Sequence, residues 1–214
     1  MTSVQPPTAF AARRNVPRGP HPQQERSIRT RAQILGAASE IFAARGYRGA
    51  SVKDVAERVG MTKGAVYFHF PSKESLAIAV VEEHYARWPA TMEEIRAQGF
   101  TPLETVEEML HRAAQGFRDD PVMQAGARLQ SERAFIDAEL PLPYVDWTHL
   151  LEVLLQDARE VGQLRPGVDP AAAARSLVAA FFGMQHISDN LYQRADIMER
   201  WQELRDLMFF ALRA

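Results

Sequence analysis

The chain has 214 residues, 46% of them hydrophobic and 24% charged, which supports a sizeable core in one or two globular domains and excludes a fibre or a disordered tail. It contains no cysteine, so disulfides, thiolate catalysis and cysteine metal ligation are excluded. The net charge of −2 hides an asymmetry: residues 1–74 hold 12 Lys or Arg against 5 Asp or Glu (+7) and residues 75–214 hold 13 against 22 (−9), so a basic segment suited to a polyanion is joined to an acidic body with another task.

Residues 1–27 carry five of the thirteen prolines, no apolar periodicity, and Arg13, Arg14, Arg18 and Arg26, and read as a flexible basic arm. From Thr30 the pattern is helical almost without interruption, and no alternating Val/Ile/Thr run asks for a strand. The first helix places Ile34, Leu35, Ala38, Ile41 and Phe42 on one face and stops at Gly46, a residue that tolerates the left-handed conformation of a C-terminal cap. Ser51 caps a second helix of barely two turns, with Asp54 three residues on, burying Val52, Val55, Ala56 and Val59. Thr62 caps a third that runs to about Phe70, with Val66 and Phe70 inward; Pro71 and Ser72 end it and start a fourth.

The fourth helix carries a stripe of Ile78, Val81, Tyr85, Trp88, Met92 and Ile95, which Pro89 should kink or split. Helices follow over Leu103–Phe117, about Val122–Ala138, and Tyr144–Val161, with Pro141 and Pro143 between the last two. Asp169 and Pro170 signal a helix running to about Leu191, and a final one covers Ile197–Leu212. The longest nearly unbroken apolar run, Leu177–Met184, falls far short of the roughly 18 residues that span a bilayer. Residues 1–25 lack the apolar segment of a signal peptide, so no membrane partner is expected and the expected address is the cytoplasm.

Two short helices joined by a Gly-containing turn form a helix-turn-helix candidate over residues 28–74. Gly64 and Ala65 are small where a backbone would approach the major groove. Thr62, Lys63, Tyr67 and His69 supply donors for base edges or phosphates, and Phe68 lies among them. Ser51 and Lys73 sit at helix N-termini, where amides and the dipole favour a phosphate. From pattern alone, a small helical bundle with a solvated basic face stays open beside the DNA reading.

The stretch from Thr30 to Val80, "TRAQILGAASEIFAARGYRGASVKDVAERVGMTKGAVYFHFPSKESLAIAV", resembles the DNA-binding domain of the TetR family of one-component repressors. "MTKGAVYFHFPSKESLA" and the later "GMQHISDNLYQRADIMERW", Gly183 to Trp201, are similar to its branch of receptors for γ-butyrolactone, furan or butenolide hormones. The resemblance implies an all-α homodimer: an N-terminal three-helix DNA-binding domain, then a helical ligand-binding and dimerisation domain over residues 75–214, whose last two helices pair between subunits. The residues agree independently. The helix over 170–191 is apolar almost all round, with Ala173, Leu177, Ala180, Met184 and Ile187 on one face and Ala174, Val178 and Phe181 on another, and must be buried on every side. Helix 197–212 presents Ile197, Trp201, Leu204 and Met208. The arm departs from the family pattern; its own residues suggest that it tracks a neighbouring minor groove.

In the acidic body, Tyr85, Gln130, Tyr144 and Trp147 are hydrogen-bonding groups on apolar stripes, costly to bury without partners. A mostly apolar cavity with a few convergent polar groups is a small-molecule site, although each group could instead bond a neighbouring backbone. Resemblance raises Trp147, since receptors of this branch place a tryptophan in the hormone pocket. None of the four is acidic, which favours a neutral or anionic lactone or furan carboxylic acid over cationic drugs. Tyr85 precedes the Pro89 break on the helix that begins beside the recognition helix, so ligand contact there should tilt the lever that spaces the two reading heads.

The expected function is therefore a repressor that binds pseudo-palindromic operators as a dimer and is released by a small signalling molecule, with secondary-metabolite genes as its targets. The alternative is a TetR-type repressor of an efflux pump, responding to lipophilic drugs. An enzyme fits worse: Glu108-x-x-His111 is a single copy of a spacing that di-iron bundles need twice, and His84, His149 and His186 read as ordinary histidines. No cofactor motif and no metal site is read. A constitutive DNA-binding protein would not need so large an acidic second part.

Overall fold

Capping chemistry decides where the helices of the first part begin. The computed structural model describes residues 22–214, which form α1 (Pro22–Gly49), α2 (Val52–Arg58), α3 (Lys63–His69), α4 (Lys73–Ala86) and α5 (Trp88–Ala97), then α6 (Pro102–Asp119), α7 (Pro121–Ser131), α8 (Val145–Glu160), α9 (Pro170–Tyr192) and α10 (Ile197–Leu212). Ser51 and Asp54 cap α2 reciprocally, and Ser72 and Ser75 do the same for α4. The Thr62 hydroxyl accepts from the Ala65 amide at 3.2 Å to start α3. Pro170 follows the cap Asp169, whose carboxylate accepts from the Ala172 amide at 3.1 Å.

Two boundaries differ from expectation. α1 begins at Pro22 rather than Thr30, so residues 22–27 of the expected arm are helix; the rest of the arm, with its minor-groove role, lies outside the described residues. Residues 23–29 are all exposed, so this extension rests on the helix propensity of Gln23, Gln24, Glu25 and Arg26, not on burial. α7 stops at Ser131, well short of Ala138. A 3-10 turn, Arg133–Phe135, then swings the chain back so that Ile136 and Leu140 are buried, and Arg133 holds the bend by donating to the Leu140 carbonyl at 3.2 Å.

Pro89 splits the long stripe at Arg87, leaving α4 and α5 as separate helices. α4 is buried over a wider arc than its stripe implied: Leu76, Ala77, Val80 and His84 join Val81 inside. The reason is visible in the cores. One core joins Ile34, Phe42, Val55, Val66 and Phe70 to Leu76 and Val80 of α4 and to Ala125 and Leu129 of α7. The other gathers α6, α8, α9 and α10 around Phe117, Leu151, Phe181 and Trp201. The part built on α1 to α3, termed the head, thus shares α4 and α7 with the helical body, and its packing runs past residue 74.

α9 is not buried on every side within one chain. Leu177, Val178 and Phe181 are inside, whereas Ile187 and Leu191, and Leu207 and Phe210 of α10, stand exposed. That apolar surface on two long helices suits a second copy.

Candidate functional site

In the head, α3 divides cleanly. Val66 and Phe70 are buried, while Thr62, Lys63, Gly64, Tyr67 and Phe68 are exposed; Ala65 and His69 lie half-buried at the edges. Phe68 is 83% exposed, an apolar ring that only a partner would cover. Lys63 Nζ lies 5.5 Å from the centre of the Tyr67 ring, and Phe68 meets His69 edge-on at 5.2 Å. The two groups expected at helix N-termini are more committed. Ser51 gives its hydroxyl and amide to Asp54, at 2.6 and 2.9 Å, so a carboxylate already occupies that end. Lys73 is half-buried with Nζ 4.1 Å from the centre of the Tyr47 ring, and burial lowers its pKa. Arg31, missed in the sequence, stacks its guanidinium on Phe70 at 4.8 Å and brings a further cation to the end of α3.

In the body, Tyr85, Gln130, Tyr144 and Trp147 converge as expected. They line a small inner cavity of about 20 Å³ together with His84 and Phe182. Tyr85 and Trp147 also form the back wall of an open cleft of about 560 Å³, whose apolar lining includes Trp88, Met92, Met109 and Leu150. A cleft of this size matches small-molecule sites. Its rim adds the exposed side chains of Asp146, Glu93 and Arg96, absent from the four-residue expectation; the last two pair at 3.5 Å.

The hydrogen-bond directions inside are determinate. Gln130 is buried and its Nε2 donates to the Pro141 carbonyl at 3.0 Å and to the Tyr85 hydroxyl at 3.2 Å. A carbonyl only accepts, so the amide nitrogen must face Pro141, and Gln130 Oε1 is left buried without a donor. Having accepted from Gln130, the Tyr85 hydroxyl keeps its proton to donate. Burial raises the pKa of both Tyr85 and Tyr144, which keeps them protonated. Tyr144 does not join the stripe of α8 but precedes it, in the left-handed region at φ 69°, with its ring 4.6 Å from that of Phe182. Trp147 is buried, edge-on to Trp88 at 4.5 Å.

His84 was missed as an ordinary histidine. It is buried among Phe117, stacked at 6.4 Å, and Tyr85, edge-on at 5.0 Å, and burial pushes its pKa down to about 4, so the ring is neutral. Its Nδ1 has no partner. Of the four buried polar atoms without hydrogen bonds among the described residues, three belong to His84, Trp88 and Gln130, around these two cavities. The fourth, on Arg194, lies 2.6 Å from the Asp189 carboxylate and is neutralised there. Each orphan costs about 1–3 kcal/mol, which a ligand of matching donors and acceptors would remove.

Glu108 and His111 are otherwise engaged. Arg112 donates to Glu108 at 2.6 Å, and the Trp201 indole N–H donates to His111 Nδ1 at 3.1 Å. Among the described residues no three His, Asp or Glu side chains gather as metal ligands, and no helix is long and apolar enough to cross a membrane.

Comparison with known proteins adds independent findings. Residues 34–80 match the family model of bacterial regulatory proteins of the tetR family, and residues 100–213 that of the tetracyclin repressor-like C-terminal domain. The A-factor receptor protein of Streptomyces griseus is 32% identical over 186 residues, which is 85% of this chain and 64% of that protein's length. A solved structure described as the molecular basis for control of antibiotic production by bacterial hormones is 93% identical, with a TM-score of 0.83, covering 87% of this chain and 99% of that one. CprB from Streptomyces coelicolor, solved with its biological operator sequence, is 27% identical with a TM-score of 0.78, covering 88% and 90% of the two chains.

Proposed function

The chain belongs to the TetR family of bacterial regulators, and from that premise we propose that it is a dimeric, ligand-released repressor acting on DNA in the cytoplasm. α3 reads pseudo-palindromic half-sites through Lys63, Gly64, Tyr67 and Phe68, flanked by Thr62, Ala65 and His69, with Ser51 and Lys73 at the neighbouring helix starts. The exposed faces of α9 and α10 pair the subunits. The released state is stabilised by a small signalling molecule of γ-butyrolactone, butenolide or furan type held by Tyr85, Gln130, Tyr144 and Trp147. Its targets are secondary-metabolite genes, a reading supported by the 93% identical structure concerned with hormone control of antibiotic production.

The observation that carries this reading is a lone buried acceptor, Gln130 Oε1, beside the half-buried Tyr85 hydroxyl in the inner cavity, with Tyr85 and Trp147 lining both that cavity and the apolar cleft. A ligand must offer a hydroxyl or acid proton to the first and a carbonyl or ring oxygen to the second, with an alkyl chain for the methionines and tryptophans. Because half-sites lie about 34 Å apart or multiples of it, a shift of a few ångströms at the heads ends simultaneous contact. Emptying an operator from 99:1 to 1:99 requires a preference of about 5.5 kcal/mol for the released state. A hydrogen bond to the orphaned Gln130 Oε1, a second from the Tyr85 hydroxyl and the buried alkyl area supply terms of that order.

The test begins with operators selected from random duplexes. The bound complex is challenged with an acyl γ-butyrolactone, an alkyl furan carboxylic acid and a lipophilic cation. Release by the lactone or furan is expected, and Tyr85→Phe and Gln130→Leu should weaken that ligand's binding 10- to 100-fold while operator affinity holds. Release by the cation alone would favour an efflux-pump repressor, with Asp146 and Glu93 on the cleft rim as its recognition groups. Release by none overturns the ligand-responsive reading.

A further inference from the structure

A single helix faces both sites. On α7, Gln130 points into the inner cavity, while Arg128 and the residue that ends the helix, Glu132, two residues to either side, point the opposite way onto the end of α1. Helical geometry requires this: a step of two residues turns the side chain about 200°, and a step of four restores the face.

What Arg128 and Glu132 hold is a built joint. Arg128 Nη1 donates to the Ala43 and Ala44 carbonyls at 2.9 and 3.1 Å, satisfying acceptors that α1 leaves open where its regular turns end. The Tyr47 amide donates to Glu132 Oε2 at 2.6 Å, and Arg128 Nε donates to Glu132 Oε1 at 3.2 Å. Between them lies Gly46, at φ 68°, where any Cβ would collide with the Glu132 carboxylate and the Arg128 guanidinium. The joint continues into the head. The Tyr47 hydroxyl donates to Glu74 at 2.5 Å, and the Tyr47 ring carries the Lys73 ammonium, both on the first turn of α4 beside α3. A continuous series of contacts therefore runs from Gln130 through α7 to Glu132, Tyr47 and Lys73.

We propose that Arg128 and Glu132 are positioning residues that couple the ligand cavity to the reading head. A ligand that draws on Gln130 shifts α7 as a rigid rod, and the pair moves the Gly46–Tyr47 corner and with it the start of α4. The proposal rests on the ligand-released repressor reading and names the elements that transmit its signal.

The experiment uses the full-length protein, a selected operator duplex, and whichever of the acyl γ-butyrolactone or alkyl furan carboxylic acid releases the unaltered protein. The readout is the ratio of operator Kd with saturating ligand to that without it, beside the ligand's own Kd. Glu132→Ala should keep ligand affinity within threefold yet cut the release ratio at least tenfold. Glu132→Gln, whose amide oxygen can still accept from Tyr47, should recover part of it. A merely structural role would lower the melting temperature with the release ratio unchanged, and that result overturns the proposal. Should Glu132→Ala fail to fold, Arg128→Lys replaces it: at least a threefold fall in the ratio is expected, and an unchanged ratio overturns the proposal. If neither compound releases the unaltered protein, the repressor reading fails first and the coupling falls with it, whereas release that persists equally in the variants sinks the coupling alone.

Discussion

The head and the body leave groups open for a partner in opposite places. On α3, Lys63, Tyr67 and Phe68 stand in solvent, whereas in the body the open groups, Gln130 Oε1, His84 Nδ1 and Trp88 Nε1, are buried. Exposed donors are hydrated until a phosphate replaces the water, so they cost the free protein little and give affinity that salt weakens. Buried orphans carry about 1–3 kcal/mol of desolvation each until matched, so they give affinity that depends on chemical fit and hardly on salt. If these are the groups the two partners meet, the head should hold DNA of many sequences loosely, while the body should reject ligands that lack one donor or acceptor.

The sharpest way to break this contrast is to separate the subunits, because only the head's affinity depends on being paired. Phe210, 77% exposed on α10, lies on the apolar surface assigned to the partner copy. Phe210→Asp should yield monomers in sedimentation and lower operator affinity about a thousandfold, since the second head loses its effective concentration at the neighbouring half-site. Ligand affinity should stay within a few-fold. A variant that remains dimeric and binds operator unchanged would place the subunit contact elsewhere.

His84 sharpens the body's side of the comparison. Its pKa is about 4 when folded, mainly through burial, against an ordinary 6.5 when unfolded. The unfolded chain then binds the proton more readily, so this contribution to stability is complete above pH 6.5 and is lost as pH falls toward 4. Between pH 7 and pH 5 the loss attributable to His84 is about 2 kcal/mol. Urea unfolding at the two pH values should show it, and His84→Gln should lose that much less than the unaltered protein. Equal pH dependence in the two would mean that the imidazole is solvated.

What could be read from the sequence divides along the same line. The head is specified by signals a few residues long: Ser51 with Asp54, Thr62 capping Ala65, and Gly46 at positive φ. The body's long helices and the gathering of Tyr85, Gln130, Tyr144 and Trp147 were legible from apolar stripes carrying stranded polar groups. His84 was not, because its environment comes from Phe117 and Gly126, residues distant in the chain, while Tyr85 beside it held the stripe. The end of α7 at Ser131 was illegible for a similar reason: the residues beyond it are acceptable helix formers, and the turn is imposed by the burial of Ile136 and Leu140. Phe182, which backs both Tyr144 and Trp147, was hidden in a run where every neighbour is apolar too.

The smallest expected effect tests the head's side directly. Lys63 and Phe68 share one exposed face of α3 but should act by different physics. If the Lys63 ammonium meets a phosphate, Lys63→Gln lowers operator affinity about tenfold at low salt and reduces the slope of log K against log salt by about 0.9, because one fewer counterion is released. The deficit then shrinks as salt rises. Phe68→Ala removes apolar contact and should weaken binding by a similar or smaller factor that stays constant across the titration, leaving the slope intact. Measuring both variants by fluorescence anisotropy at several salt concentrations separates charge from contact on one helix face. If the two titrations stay parallel to each other, Lys63 touches no phosphate, and the head's affinity must rest on groups outside α3, with Arg31 against Phe70 the first to examine.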